Sequence, residues 1–268
     1  MINGMYLSTM GALVQTGRHA TIANNLANAN THGFKPDWSV FEALPTENAW
    51  HPERRLLWDK ILMNTGGGVW NSTTVANLSP GPMQFTNNPF DVAIRDEPGS
   101  ETFGFFAIQP DDTDGTVYYS RDGHFVPDQN GVLRTVTGDR VLDVNGATIV
   151  LDPPESASVH IDSEGRILYQ VAGEGTIEAG QIALWRTADY RQMKKVGDSR
   201  FLAEGAQMEQ WQNGFMSGNL EESGTSPIEE MTNMIEAARI YDANMRFLTI
   251  QDETLGQTVR RVGARSQG

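Results

Sequence analysis

The chain has 268 residues, enough for one large domain or two ordinary ones with a real core. Twenty basic against 34 acidic residues leave a net charge of −14. That excludes phosphate backbones and anionic lipid surfaces as partners, because both call for concentrated Lys and Arg. With no cysteine, disulfides, thiolate metal sites and cysteine nucleophiles are excluded as well.

No stretch approaches the roughly 18 consecutive apolar residues of a membrane-spanning helix. The first 17 residues hold no Lys or Arg, and Ser8, Thr9, Gly11 and Gln15 interrupt their apolar run, so they do not read as a cleavable signal. If the protein is exported, the route reads something else.

Residues 2 to about 30 predict a helix with a seam at Met10, Leu13, Gly17, Ala20, Asn24 and Ala27, widened by Leu7, Val14, Ile22 and Leu26. Small residues late in the seam allow close helix approach. Asn24, Asn25, Asn28 and Asn30 follow in quick succession before Gly33 and Pro36 stop the helix. These amides serve turns and caps, or else Asn24 bonds across a helix interface and fixes its register.

Residues 37–80 read as an irregular connector in which Trp38, Phe41 and Leu44 dock. A charged piece (Glu53, Arg54, Arg55, Asp59, Lys60) and then Gly66-Gly67-Gly68 follow. Residues 81–204 carry short strand patterns, including Phe90–Ile94, Phe103–Ile108, Thr116–Tyr119, Ser158–Ile161, Ile167–Gln170, Gly180–Arg186 and Arg200–Ala203. Asp114-Gly115, Asp122-Gly123, Asn130-Gly131, Thr137-Gly138 and Asn145-Gly146 recur about every eight residues, the rhythm of an antiparallel meander or barrel. Residues 205–224, rich in Gly, form a return connector.

From Pro227 to Val259 a second helical seam runs through Met231, Met234, Ala238, Tyr241, Met245, Leu248, Asp252, Leu255 and Val259. Its period averages 3.5 and only Asp252 breaks it, which marks a helix lying against another along its whole length. Ser226, Pro227 and Glu229 supply a cap, a first helical position and an acidic first turn. Such a helix runs roughly 50 Å. The fold class is therefore α+β: residues 1–36 and 225–262 pair as a coiled-coil stalk, with an antiparallel β domain inserted between them.

No reaction chemistry is legible. His19, His32, His51, His124 and His160 are scattered without metal-ligand spacing. Asp112-Thr-Asp114-Gly115 and Asp128-Gln-Asn130-Gly131 open like calcium loops, but Val117 and Leu133 stand where the loop needs Gly. Gly66-Gly67-Gly68 lacks the Lys-Ser/Thr of a phosphate loop, and no Gly-x-Ser-x-Gly elbow occurs. Glu221-Glu222 and Glu229-Glu230 lie next to a helix start, where negative charge suits the dipole. The Met231, Met234 and Met245 stripe has heptad spacing and reads as packing surface. No enzyme activity, cofactor or metal is expected.

Several blocks resemble the flagellar basal-body rod and hook family. They are Ala23-Asn-Asn-Leu-Ala-Asn-Ala-Asn-Thr-His-Gly-Phe-Lys35, Thr86-Asn-Asn-Pro-Phe-Asp-Val-Ala-Ile94, Gly104-Phe-Phe-Ala-Ile108, Tyr119-Ser-Arg-Asp-Gly-His-Phe125, Gly218-Asn-Leu-Glu-Glu-Ser223 and Glu229 to Asn244. Arg95 to Thr102 is longer and more acidic than the family's short turn, and the charged segment from Trp50 to Lys60 has no obvious family counterpart. The resemblance implies a structural rod subunit that polymerises helically into a hollow axial drive shaft. It further implies partners among copies of itself, other flagellar axial proteins and the flagellar type III export apparatus, and a location in the periplasm-spanning rod, reached without a cleaved signal peptide. The assembly interface expected on this basis takes Met10, Leu13, Asn24, Asn25, Leu26, Asn28, Gly33 and Phe34 from the N-terminal end. From the C-terminal helix it takes Met231, Met234, Ile235, Ala238, Tyr241, Met245 and Leu248. Competing readings are a flagellar hook subunit, a secreted β domain that binds cell-wall carbohydrate through aromatics such as Tyr118, Tyr119 and Phe125, and an enzyme acting on peptidoglycan.

Overall fold

The computed structural model describes residues 2–44, 67–96, 99, 102–111, 115–152, 158–171, 175–212 and 214–265. The chain divides into two units: residues 1–27, 37–75 and 226–268 form one, and residues 28–36 and 76–225 the other. No helix among the described residues is long and apolar enough to cross a membrane.

The first unit holds both long helices, α1 (Ile2–Ala27) and α2 (Pro227–Arg265), with a two-stranded sheet of β1 (Asp37–Ala43) and β2 (Val69–Ala76). The two strands fall in what reads from sequence as an irregular connector. Its charged piece lies outside the described residues. The helix α1 rests on the sheet through small contacts: Ser39 Oγ donates to Thr21 Oγ1 at 2.9 Å, and a methyl on Gly17 would come within 2.9 Å of the Asn71 amide. The helix α2 starts at Pro227 with Glu229 and Glu230 in its first turn, where carboxylates face the positive end of the helix dipole.

The second unit is built on strands. In chain order they are β3 (Met83–Phe85), β4 (Val92–Ile94), β5 (Phe103–Gln109), β6 (Tyr118–Ser120), β7 (Phe125–Pro127), β8 (Leu133–Thr135) and β9 (Arg140–Val141). Then come β10 (Ser158–Ile161), β11 (Arg166–Val171), β12 (Gly175–Gln181), β13 (Leu184–Thr187), β14 (Met193–Gly197) and β15 (Arg200–Ala203). The unit closes with β16 (Glu209–Trp211), β17 (Phe215–Ser217) and β18 (Asn219–Glu221), three strands within the segment that reads as a return connector. Nine strands form the largest sheet, in which β5 pairs antiparallel with β6, β9 and β13. Residues 104–108 of β5 are all buried, as a continuous apolar run should be when both faces of a strand are covered. Phe106 enters the main core beside Phe125 and Phe215, while Phe105 faces the other way onto Phe201, Met193 and Leu78. The last strands return to the first: β17 pairs with β4 and β18 with β3.

The Asn130-Gly131 and Asn145-Gly146 turns are clamped by an aspartate two residues earlier, and a third turn, not read from the sequence, follows Asp162. Asp128 Oδ1 accepts from the backbone N–H of Asn130 and Val132, Asp143 Oδ1 from Asn145 and Ala147, and Asp162 Oδ1 from Glu164 and Arg166. Gly131, Gly146 and Gly165 follow at left-handed φ. The calcium-like spacing at Asp128 is thereby explained, since its other oxygen accepts from Arg134 Nε at 3.0 Å. Asp112 and Asp114 lie outside the described residues.

Asp122-Gly123 is different, because Gly123 permits close backbone approach: a Cβ there would stand 1.7 Å from the carbonyl oxygen of Val92. Gly123→Ala should therefore destabilise the β unit by about 3 kcal/mol, since the obstacle is backbone that cannot step aside. A thermal or denaturant melt of the full chain checks this, with Gly138→Ala as the control for strain without a clash.

Candidate functional site

The two helices meet along an antiparallel seam that repeats every seven residues. A methyl built on Gly4 would lie 2.7 Å from the Gln251 amide, and one on Gly11 would lie 3.0 Å from that of Asn244. Next, Arg18 pairs with Glu236 at 3.3 Å, beside the buried Ala237. Finally, Asn25 Nδ2 donates to Glu230 Oε1 at 3.1 Å. Asn25 is almost fully buried and is also clamped to the chain that follows α1: its Nδ2 donates to Asp37 O and its Oδ1 accepts from Asp37 N–H. At these levels the seam is small and polar, glycines facing amides and a carboxylate, while Ala12, Val14 and Ile22 of α1 and Ala237 of α2 are buried and Met234, Ile240 and Leu248 half-buried between them.

Several large apolar side chains face outward, among exposed charged residues such as Glu236, Arg239, Asp242 and Arg246. Leu13 is 61% exposed, Ile235 56% and Met231 46%, and Tyr6, Tyr241, Met245 and Phe247 are exposed as well. The outward side of α1 carries no charge, for Arg18, its one Lys or Arg, is held by Glu236. Apolar residues along a helix face that nothing among the described residues covers mark an interaction surface.

The second unit contains a buried ionic cluster. Arg121 Nε donates to Glu221 Oε2 at 3.1 Å, its Nη2 to Asp96 Oδ2 at 2.7 Å and its Nη1 to Gly104 O at 2.7 Å. Lys35 Nζ donates to Glu221 Oε1 and to Ser79 O, and the Gly81 N–H adds a third bond to the same carboxylate. Lys35, Arg121 and Glu221 are all essentially without solvent contact. Gly33, at left-handed φ, donates its N–H to Glu221 O and packs so tightly on the backbone of Arg121 that no side chain fits. Burial and the Arg121 charge pull the Lys35 ammonium down to about 8, against the opposing pull of Glu221. Burial disfavours the Glu221 charge too, but Arg121 and Lys35 outweigh it and hold the carboxyl below its usual range. Every charge here is matched inside the chain, so the cluster holds structure together and leaves no group open for catalysis. Among the described residues, no group of three or more histidines and carboxylates is arranged to hold a metal ion.

Three family models match: residues 10–35 as "Flagella basal body rod protein", residues 101–169 as "Flagellar hook protein FlgE/F/G D1 domain" and residues 216–261 as "Flagellar basal body rod FlgEFG protein C-terminal". The chain is 30% identical over 268 residues to the flagellar basal-body rod protein FlgF of Caulobacter vibrioides, covering 98% of this chain and 99% of that one. The chain belongs to the flagellar basal-body rod protein family. It is also 30% identical over 262 residues to FlgF of Salmonella typhimurium (93% of this chain, 94% of that one). To the rod protein FlgG of Borreliella burgdorferi it is 32% identical over 270 residues (96% and 97%). The protein is a structural rod subunit and not an enzyme.

Within this rod protein the expected interface residues fall into different surroundings. Leu13, Asn24, Met231, Ile235, Ala238, Tyr241 and Met245 are exposed, while Met10, Leu26, Asn28, Met234 and Leu248 are half-buried. Asn25, Gly33 and Phe34 are buried within their own units. The intrachain contact coincides with the expected stripe only in part: Met234 and Leu248 are half-buried along the same row as Ala237 and Asn244, whereas Asn25 rather than Asn24 bonds across the helices and Asn244 rather than Met245 faces α1. The aromatics of the carbohydrate reading do not form an exposed row, for Phe125 is buried and Tyr118 and Tyr119 are half-buried. The fold also brings together His32 and His124, rings 5.9 Å apart, with His124 Nδ1 2.9 Å from Asp91 Oδ1.

Lys35, Arg121 and Glu221 sit inside three of the blocks that carry the resemblance, and the fold makes them one cluster. Asp96 joins them from the acidic stretch after β4. Glu221→Gln should cost about 3 kcal/mol in the β unit, because two buried cations lose their shared carboxylate. The lysine adds a pH signature. An unfolded lysine keeps its proton to about pH 10.5, whereas the folded one releases it above about 8. This group therefore penalises folding below pH 8, and the penalty lifts as pH rises between those values. Denaturant midpoints of wild type and Lys35→Met across pH 7.5–10 should show an upward contribution in the wild type that the variant lacks.

Proposed function

We propose that the chain polymerises with copies of itself and with other axial proteins into the hollow shaft of the rod, with α1 and α2 acting as a coiled-coil assembly stalk. The observation that carries this is the set of exposed apolar side chains on both helices, Tyr6 and Leu13 on α1 and Met231, Ile235, Tyr241, Met245 and Phe247 on α2. A surface of that kind is stable in water only when neighbouring molecules cover it. Contacts that join unlike faces, repeated without closing into a ring, generate an open helical polymer. Residues 1–36 and 225–262 are the assembly stalk of this reading, residues 81–204 its β domain, and residues 37–80 and 205–224 its connectors. Within the stalk, Met10, Leu13, Met231, Met234, Ile235, Ala238, Tyr241, Met245 and Leu248 supply the contacts. Delivery through the flagellar type III apparatus, without a cleaved signal, is part of the same reading, and the resemblance supports it.

Met245→Glu should abolish incorporation into basal bodies and swimming, and leave the melt of the β unit within about 0.5 kcal/mol of wild type, since the side chain is exposed in the free chain. Full motility in the variant would remove α2 from the assembly surface.

A further inference from the structure

The open face of α1 has a register of its own. Tyr6, Leu13, Ala20 and Ala27 are spaced seven apart and exposed, two positions on from the Gly4, Gly11, Arg18 and Asn25 stripe that meets α2. At about 100° per residue, two positions place this stripe on the far side of the helix from its own partner. On α2, Met231, Ala238, Met245 and Asp252 repeat with the same spacing and are likewise exposed, one position on from the inner stripe.

We propose that the open stripe of α1 takes the Met231-to-Asp252 stripe of α2 from a second copy of the chain. In that pairing Ala27 lies against Met231, Ala20 against Ala238, Leu13 against Met245 and Tyr6 against Asp252. This rests on the rod reading and specifies the partner face and its register. Three considerations select the pairing. In an open head-to-tail polymer every copy points the same way, so α1 of one copy and α2 of the next run antiparallel, as they do within one chain. Both stripes repeat every seven residues, so a match at one level persists along the seam. The third is Asp252, the one break in the apolar pattern of α2. In this register it receives the Tyr6 hydroxyl, a donor suited to a carboxylate. A slip of seven residues one way presses Asp252 onto Leu13. A slip the other way leaves Asp252 without Tyr6 and Ala27 without a counterpart. The small Ala20–Ala238 level lets the backbones approach, while Leu13–Met245 fills the wider level above.

The chain has no native cysteine, so introduced thiols report cleanly. Cells lacking the wild-type chain would produce two full-length variants together, Leu13→Cys and Met245→Cys, and purified basal bodies would be treated with a short bis-maleimide. The expected product has twice the chain mass, contains both variants, is absent when either is produced alone, and falls at least fivefold when Ala238→Cys replaces Met245→Cys. No product, equal linkage at 238, or linkage to a different axial protein, with the chain present in the basal bodies, overturns the pairing and leaves the rod reading standing. Absence of the wild-type chain from basal bodies would remove both. Should the cysteine variants fail to incorporate, charge exchange decides: Leu13→Lys and Met245→Glu each abolish swimming and together restore it, and failure to restore overturns the pairing.

Discussion

The pair of α1 and α2 is joined across its seam by Asn25 and leaves Leu13, Met231, Ile235, Met245 and Phe247 in solvent, and the assembly we propose follows from those open side chains. Burial of apolar area is the main source of stability in water, at about 25 cal/mol per Å². The helical unit buries Ala12, Val14, Ile22 and Ala237 and leaves Leu13, Met231, Ile235 and Phe247 exposed. The inner contact supplies direction: Asn25 bonds at once to Glu230 and to the backbone of Asp37, which admits one antiparallel register. Even this seam is imperfect, for the side-chain oxygens of Gln15 and Gln251 are buried without a hydrogen-bond partner among the described residues. Each such group costs about 1–3 kcal/mol. The pair is specific and weak, which suits an element whose final partners are other molecules.

The β unit is organised the opposite way. It has a core around Phe106, Phe125 and Leu133, its turns are clamped by their own aspartates, and its buried charges are paired, though Phe85, Val136 and Val150 remain exposed. Lys35 from the segment after α1, Arg121 from beyond β6 and Glu221 from β18 converge, so that unit closes only when distant parts of the chain arrive together. Lys195 reinforces the same closure, with its ammonium 3.9 Å from the centre of the Phe34 ring and bonded to Lys35 O. One chain therefore carries a body that is complete by itself and a pair of helices that is not.

Much of this was legible in the sequence. The two terminal helices, the strands at Ser158–Ile161 and Arg200–Ala203 and the repeating turn chemistry follow from periodicity and from Asn-Gly patterns. The heptad stripes were legible as well, though only part of the apolar stripe is covered within the chain: Met234, Leu248 and Leu255 are half-buried, and Met231, Tyr241 and Met245 stay exposed. A seam of Gly4, Gly11, Arg18 and Asn25 has no hydrophobic signal; only its spacing of seven betrays it. The buried cluster was hidden for a related reason. Lys35 and Glu221 are residue types that belong on the surface unless paired, and pairing across 186 positions leaves no local trace. The strands β1 and β2 escaped because a segment flanked by charges and a triple glycine reads as irregular.

The central claim is that the helices depend on sister molecules while the β unit does not, and amide hydrogen exchange tests it most directly. In the isolated full-length chain, the amides of α1 and α2 should exchange orders of magnitude faster than those of β5, and the same helices should become protected in assembled rods. Helices as slow to exchange as β5 in the isolated chain, or no gain of protection on assembly, would contradict the account.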